Sequence, residues 1–201
     1  MNIELPGDSL DYELITEGVN LSRNVSGMTC EIGLRRGGGT KFIIDAIAAN
    51  CPHKVHVAVD PYGSIIYADK DNSHIRLDYT NDMRDESLPN VYAYAKLKRV
   101  NFIFINLEDT EFFSRYADGV PVYNEVKSIE NEYSFVHFDG PHDVISLKTE
   151  LQFFLPRTPK GGVYCFDDLK HYDHSKIEEI IFKAGFKEVA KTGRKGLYVK
   201  G

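Results

Sequence analysis

The stretch Thr29–Asn50, TCEIGLRRGGGTKFIIDAIAAN, decides the fold. It starts inside an apolar run, residues 28–34, which predicts a buried strand. It ends in residues 40–50, whose apolar side chains recur on one face and predict a helix. Glycines between a first strand and the following helix let the backbone turn tightly and approach a ligand closely. The stretch therefore predicts a strand, a ligand-facing turn and a helix.

The same alternation continues along the chain. Further strands are predicted at residues 54–60, 100–106, 133–139 and 161–168, with helices between them, among them residues 90–99, 111–118 and 144–155. Strands that are apolar on both faces are typical of a parallel sheet covered by helices on both sides. The sequence therefore predicts an α/β, doubly wound domain. Residues 186–201 break the rhythm and predict an antiparallel hairpin that closes the sheet.

Composition narrows the class of protein. With 201 residues, 42% of them hydrophobic, the chain predicts one domain spanning residues 1–201. A net charge of −6 argues against a nucleic-acid partner, and no apolar run has the roughly 20 residues that a membrane helix needs. The three cysteines show no paired spacing. We therefore expect a cytoplasmic protein without a membrane partner.

Two segments need separate interpretation. Residues 64–90 form a long polar connection, which we interpret as a lid or a substrate-facing insertion, since long connections are usually functional. Within it, Tyr67, His74 and Tyr79 are candidates to line a pocket. Near the N-terminus, Ser9 is predicted to cap a helix over residues 10–23.

The glycine spacing excludes two common phosphate-binding loops. The motif is Glu31-x-Gly33-x-x-x-Gly37, whereas dinucleotide-binding loops carry G-x-G-x-x-G. A Walker lysine is also missing, because Lys41 follows Thr40 instead of preceding it. The loop is therefore not predicted to cradle phosphate groups.

The motif instead resembles the first motif of class I S-adenosylmethionine-dependent methyltransferases. The resemblance continues in order, with Asp60 at the end of the second strand and the terminal hairpin at residues 186–201. It covers nearly the whole chain from Thr29 onward. It implies a Rossmann-like, seven-stranded, mostly parallel sheet of strand order 3-2-1-4-5-7-6. It also implies an S-adenosylmethionine cofactor.

The resemblance assigns cofactor contacts residue by residue. The residues that it implies are Glu31, Gly33, Gly37, Gly38, Thr40, Asp60, Glu108, Asp109 and Asp139. Asp60 would bind the ribose hydroxyls, although an acid at a strand end is also common in turns. Glu108 and Asp109 would border the adenine, or they could simply begin the next helix, where acids suit the helix dipole. Family members often carry Ser where this chain has Gly39.

Acids also end the fourth and fifth predicted strands. Asp139, Asp167 and Asp168 should converge at one sheet edge, where a divalent cation such as Mg²⁺ would offset their repulsion. The pattern resembles metal-dependent small-molecule O-methyltransferases of the macrolide-sugar and catechol types, which implies that these three acids are metal ligands. His142 would then be the general base. Alternatively, Asp167 and Asp168 cap the following turn and His142 is an ordinary loop histidine.

The predicted function is therefore metal-assisted O-methylation of a small hydroxylated molecule, such as a sugar. Two alternatives from other classes remain at this point. One is a Rossmann-type NAD(P)-dependent oxidoreductase, and the other is a non-catalytic, methyltransferase-like interaction domain. The identity of the acceptor and the possibility of a homo-oligomer are left open by the sequence.

Overall fold

The computed structural model describes residues 3–7, 9–64, 66–68, 70, 75–76 and 79–201. The described strands, in chain order, are β1 (Met28–Ile32), β2 (Val55–Val59), β3 (Tyr67–Ala68), β4 (Ile75–Arg76), β5 (Asn101–Ile105), β6 (Val120–Tyr123), β7 (Lys127–Glu130), β8 (Tyr133–Phe138), β9 (Val163–Phe166), β10 (Phe186–Lys191) and β11 (Gly196–Lys200). The α-helices are α1 (Glu13–Leu21), α2 (Gly38–Asn50), α3 (Asn81–Lys98), α4 (Asp109–Arg115), α5 (Val144–Phe154) and α6 (Ser175–Lys183).

Seven strands form the main sheet in the order β10-β11-β9-β8-β1-β2-β5. The pairs from β9 through β5 are parallel, whereas β11 is antiparallel to both β9 and β10. Renumbered along the sheet, this is the predicted order 3-2-1-4-5-7-6, so the fold prediction is confirmed. Two short antiparallel ribbons, β3–β4 and β6–β7, lie outside the main sheet.

Helices cover both faces of the sheet, which is why its central strands are apolar throughout. Every residue of β1, β2 and β8 is buried. Cys30 and Ile32 belong to the core layer under α4, α5 and α6, while the other layer lies under α1, α2 and α3. Burying each large apolar side chain contributes roughly 1.5–3 kcal/mol, so these two layers hold the strand ends in place.

The order in which successive strands are added to the sheet reverses at β1. This strand pairs with β2 on one side and with β8 on the other. In open α/β sheets, ligands bind outside the carboxyl ends of the strands at such a reversal. The predicted site residues therefore follow β1, β2, β5, β8 and β9, on the same edge of the sheet.

Two sequence predictions about helices were wrong in detail. The first helix begins at Glu13, and Ser9 does not cap it but bonds to side chains of the carboxyl edge. Helix α3 begins at Asn81, nine residues before the predicted start, because Thr80 accepts a hydrogen bond from the Met83 amide at 3.1 Å. Consequently the polar connection after β2 ends near Thr80 rather than at residue 90. Within the described ranges, no helix is both long and apolar enough to cross a membrane.

Candidate active site

A cavity of about 290 Å³ opens at the carboxyl ends of β1, β2 and β5. Four of the predicted cofactor residues line it, namely Gly33, Asp60, Glu108 and Asp109. The opposite wall includes Ile66, Tyr67, Ala68, Lys70 and Tyr79. Described residues of the predicted insertion therefore line this cavity, Tyr67 and Tyr79 among them. The third candidate of that segment, His74, lies outside the described residues.

Gly33 is where the backbone turns into the cavity. Its φ is +90°, and its amide donates to the Val59 carbonyl at 2.9 Å. A Cβ at this position would overlap the carbonyl oxygen of Asp139, which crosses directly behind it. Only glycine allows both the left-handed conformation and this close approach of the chain that follows β8.

Asp60 ties the glycine loop to the end of β2. Its Oδ2 accepts hydrogen bonds from the amides of Leu34 at 3.0 Å and Arg35 at 2.9 Å, and its Oδ1 accepts one from Tyr62 at 3.0 Å. Burial raises the pKa of Asp60 to about 6, against the effect of these three donors. The side chain thus lines the cavity and also holds the loop, as an acid in a strand-end turn does.

Glu31 lies beneath the loop, outside the cavity lining. Its Oε1 is 3.0 Å from His137 Nδ1, its Oε2 accepts a hydrogen bond from the Thr40 hydroxyl, and His56 Nε2 is 3.8 Å from Oε2. Burial alone would raise the pKa of Glu31, but the contacts with His137 and His56 lower it to about 2. Any effect of Glu31 on a ligand therefore passes through the loop that it supports.

The same packing explains Gly39. A Cβ at this position would overlap Glu31 Oε1 and would lie 3.1 Å from His137 Cε1. A serine at position 39 would therefore displace the buried Glu31–His137 pair. The departure from the family pattern follows from the residues below the loop.

Gly37, Gly38 and Thr40 form the start of α2 and do not line the cavity. Gly37 has a left-handed φ of +82°, and Thr40 is fully buried. The segment 3–7 lies across this helix start, because a Cβ at Gly38 would be 2.8 Å from Gly7 Cα and 3.0 Å from the Pro6 oxygen. The resemblance places the amino-acid part of the cofactor at this helix start, which segment 3–7 covers in this structure.

Glu108 and Asp109 both line the cavity and begin a helix. Glu108 is the N-cap residue of α4, and Asp109 is its first residue. Asp109 Oδ1 accepts a hydrogen bond from the Thr110 amide at 2.8 Å. Its side chain also interacts with the buried Glu150 carboxyl, and this contact is one of the causes that raise the pKa of Glu150.

Beside the cavity, two of the predicted metal ligands converge. Ligand atoms of His137, Asp139 and Asp167 all lie within 4.8 Å of one another. Burial and the neighbouring Asp167 carboxylate raise the pKa of Asp139 well above its usual range. Burial opposes ionisation of Asp167 as well, but the ammonium of Lys195 lowers its pKa. We call Asp139, Asp167 and Asp168 the carboxylate cluster.

Asp168 is oriented by different partners. With a φ of +51°, its carboxylate reaches Arg194 at 2.7 Å, His142 Nε2 at 3.4 Å and His171 Nδ1 at 3.5 Å. The buried His142 also has its Nε2 3.9 Å from Asp139 Oδ1. The imidazole therefore lies between the ends of β8 and β9, where two carboxylates can orient it.

Three residues at this edge of the sheet were not predicted from the sequence, namely Lys195, Arg194 and His137. The two basic residues belong to the turn between β10 and β11, and they pair with acids 26 and 28 residues earlier. No local spacing marks such a pair. His137 could have been predicted, because it lies two residues before Asp139 and its side chain therefore points to the same face of the strand. Its pairing partner on β1 is Glu31.

Comparison with known proteins identifies the architecture. No protein-family model and no curated protein sequence matches the chain. Among solved structures, the calicheamicin methyltransferase CalS11 matches with a TM-score of 0.66 at 12% identity, over 95% of this chain and 79% of that one. The chain has the class I methyltransferase fold.

Other solved structures of this fold carry the cofactor or its product. An O-methyltransferase from Bacillus cereus in complex with SAH matches with a TM-score of 0.61 at 14% identity, over 98% of this chain and 84% of that one. TomG from Streptomyces achromogenes in complex with SAM matches with a TM-score of 0.59 at 11% identity, over 98% and 82%. At these identities the likeness establishes the methyltransferase fold, and the activity has to be argued from the site.

Proposed function

We propose that the chain is an S-adenosylmethionine-dependent O-methyltransferase that acts on a small hydroxylated molecule. The observation that carries the proposal is the cavity beside β1, where the strand order reverses, with Gly33 and Asp60 among its lining residues. These residues occupy the strand ends to which the sequence resemblance assigns the cofactor. Solved structures of the same fold include O-methyltransferases with SAM or SAH bound, which supports this assignment.

The cavity residues suit the nucleoside part of the cofactor. Ribose hydroxyls would donate to Asp60, whose oxygens keep lone pairs beyond the three amide hydrogen bonds. Glu108 and Asp109, which line the cavity, would border the adenine. Bound S-adenosylmethionine supplies an electrophilic methyl group. The chain's own contribution is to hold it at Gly33, facing Asp139 and the carboxylate cluster.

His142 is proposed as the general base. It would accept the proton that the acceptor hydroxyl loses on methylation, and Asp168 at 3.4 Å would orient the ring and stabilise its protonated form. Because His142 is buried, the acceptor has to reach it from the carboxyl edge of the sheet, where β8 and β9 end. This placement favours a small acceptor molecule.

A divalent cation, Mg²⁺ in the sequence prediction, is the finer part of the proposal. Asp139, Asp167 and Asp168 would hold it, and the buried Nε2 of His137, which has no partner among the described residues, supports a ligand at this place. When bound, such a cation lowers the pKa of the acceptor hydroxyl and fixes its oxygen. In this structure Lys195 forms an ion pair with Asp167, and Arg194 forms one with Asp168. The carboxylates could therefore hold a metal cation, but only after Lys195 is displaced from Asp167.

The alternatives are less well supported. A NAD(P)-dependent oxidoreductase is disfavoured by the glycine spacing and by the antiparallel β10–β11 hairpin. A non-catalytic interaction domain would keep the fold but would not bind S-adenosylmethionine. The cytoplasmic location and any homo-oligomer stay predictions from the sequence.

The experiment that tests the proposal is calorimetric titration with S-adenosylmethionine. We expect one molecule to bind per chain, and Asp60→Ala to weaken binding by about 1–3 kcal/mol, while the exposed Asp118→Ala leaves it unchanged. Acceptor screening should then detect formation of S-adenosylhomocysteine with hydroxylated compounds, and loss of turnover in EDTA. Absence of binding by the folded, cofactor-free protein would refute the proposal, and full activity in EDTA would refute its metal part.

A further inference from the structure

The carboxylate cluster already contains a cation that belongs to the chain. Lys195 is completely buried, and its ammonium forms an ion pair with Asp167 Oδ2. It also donates to the Ser9 hydroxyl at 2.7 Å and lies 5.1 Å from the centre of the Tyr12 ring. Ser9 in turn donates to the same Asp167 oxygen at 2.9 Å. The ammonium is thus enclosed between the β10–β11 turn and the segment before α1.

This arrangement uses the oxygen that a metal ion would need. A divalent cation shared by Asp139 and Asp167 would take a carboxylate oxygen of each at about 2.0–2.6 Å. Asp167 Oδ2 is engaged by Lys195 and Ser9, and Asp167 Oδ1 accepts a hydrogen bond from the Asp168 amide at 2.7 Å. An ammonium and a divalent cation at one carboxylate repel each other strongly in a buried site. The two cations therefore exclude each other.

We propose that Lys195 is a resident counter-ion that competes with a divalent cation for Asp139 and Asp167. The metal binds only when the Lys195 side chain leaves Asp167, and Lys195 keeps the metal affinity of the chain low. This inference rests on the metal part of the proposed function. It extends that function by naming the residue that controls metal occupancy.

The first test measures binding of Mn²⁺ alone by electron paramagnetic resonance, without S-adenosylmethionine. Lys195→Met removes the charge at similar length and should bind Mn²⁺ at least 10-fold more tightly than the wild type. Lys195→Arg keeps the charge and should stay close to the wild type. The gain should disappear in Lys195→Met/Asp167→Asn. Equal affinity of wild type and Lys195→Met, or no binding by either, would overturn the proposal.

The second test uses the wild-type protein, because Lys195→Met leaves Asp167 buried without its partner and can fail to fold. Lysines are acetylated briefly with and without 10 mM MgCl₂, and labelling at each site is read by peptide mass spectrometry. Lys195 should be protected without metal and labelled at least 10-fold more with it. Lys54 is the matched control, since it is also buried but bonds to Val25, Gly27 and Ser134 at the opposite edge of the sheet. Continued protection of Lys195 in MgCl₂ would contradict the competition.

Failure of this inference is distinguishable from failure of the proposed function. Both tests use metal alone, whereas the proposed function is tested by S-adenosylmethionine binding and product formation. A chain that binds S-adenosylmethionine but shows no Lys195 effect on Mn²⁺ keeps the methyltransferase proposal and loses the competition. A chain with the Lys195 effect but no cofactor binding gives the opposite result.

Discussion

The cavity and the carboxylate cluster lie side by side on one sheet edge, yet their acids are stabilised in different ways. In the cavity, Asp60 accepts hydrogen bonds from backbone amides of the adjacent loop. In the cluster, Asp167 and Asp168 are paired with basic side chains of the β10–β11 turn. The hydrogen-bond donors to Asp60 are uncharged amides that are close to it in the fold. The partners of Asp167 and Asp168 are instead fully charged side chains from a segment that is distant in sequence. Substitutions in the two regions should therefore have different costs.

The largest effect is expected where a buried charge loses its partner. Lys195→Met should lower the free energy of unfolding by about 3–5 kcal/mol, because it leaves Asp167 ionised and buried. Urea denaturation measures this, with Lys41→Met as the control, since the half-exposed Lys41–Asp45 pair should contribute no more than about 1 kcal/mol. The double variant Lys195→Met/Asp167→Asn should recover most of the loss. A small effect of Lys195→Met would show that the cluster is more solvated than its burial indicates.

Gly33→Ala tests the backbone of the cavity. We expect a loss of roughly 2–5 kcal/mol in unfolding free energy, together with loss of S-adenosylmethionine binding, because the new Cβ meets Asp139 in a left-handed conformation. Gly185→Ala is a matched control, since its φ is also +90° but no atom lies within 4 Å of the added Cβ. Gly185→Ala should lower the unfolding free energy by only roughly 1–2 kcal/mol, the cost of placing a residue with a Cβ in the left-handed conformation. Equal losses would mean that the contact with Asp139 is unimportant.

Asp60 gives the cavity its own pH dependence. Its pKa of about 6 lies above the usual value of 3.8, so the folded state retains the proton that the unfolded state loses between these values. Stability from this group is therefore fully present only below about pH 4 and falls by about 3 kcal/mol as pH rises through 6, with about 2 kcal/mol of the fall between pH 4 and 6. Asp60→Asn should remove this fall, as measured by urea denaturation at pH 4, 5 and 6. An unchanged profile would assign the fall to another acid.

The smallest effect is expected at the outer pair of the cluster. Arg194→Ala should cost about 0.2–1 kcal/mol in unfolding free energy, because the Arg194 side chain is 36% exposed and water can replace it. The turnover assay should respond more than stability does, since Asp168 would lose the partner that holds it beside His142. If Arg194→Ala lowered the unfolding free energy as much as Lys195→Met does, the Arg194–Asp168 pair would be as important for stability as the buried Lys195–Asp167 pair, contrary to this prediction.

Much of the fold could be predicted from the sequence, for a physical reason. The central strands are buried on both faces, so their apolar runs are continuous, and the turn after β1 requires glycine at Gly33. The antiparallel hairpin was predicted from the break in this alternation, whereas the strand order was implied by the methyltransferase resemblance. The start of α3 was missed because its first two turns are polar, and its true signals are the Thr80 cap and Asp82 in the first turn.

The candidate site was predictable only where its residues follow strand ends. Asp60, Asp139 and Asp167 could be placed from the chain, since parallel strands end at one edge. Their partners could not, because Lys195 and Ser9 reach Asp167 from distant segments and obey no spacing rule. The burial of Glu31 between His56 and His137 likewise depends on the register of three strands.

The position of β11 also governs how the domain is completed during synthesis. The ribosome makes β11 after β10, yet β11 lies between β9 and β10 in the finished sheet. The outer edge of β9 therefore stays open until residue 200 has emerged, and β10 has no place in the sheet before then. An unpaired edge of this kind invites pairing with another chain. Truncation of the chain before β11 would thus leave this edge of β9 unpaired, with Asp167 still lacking its lysine.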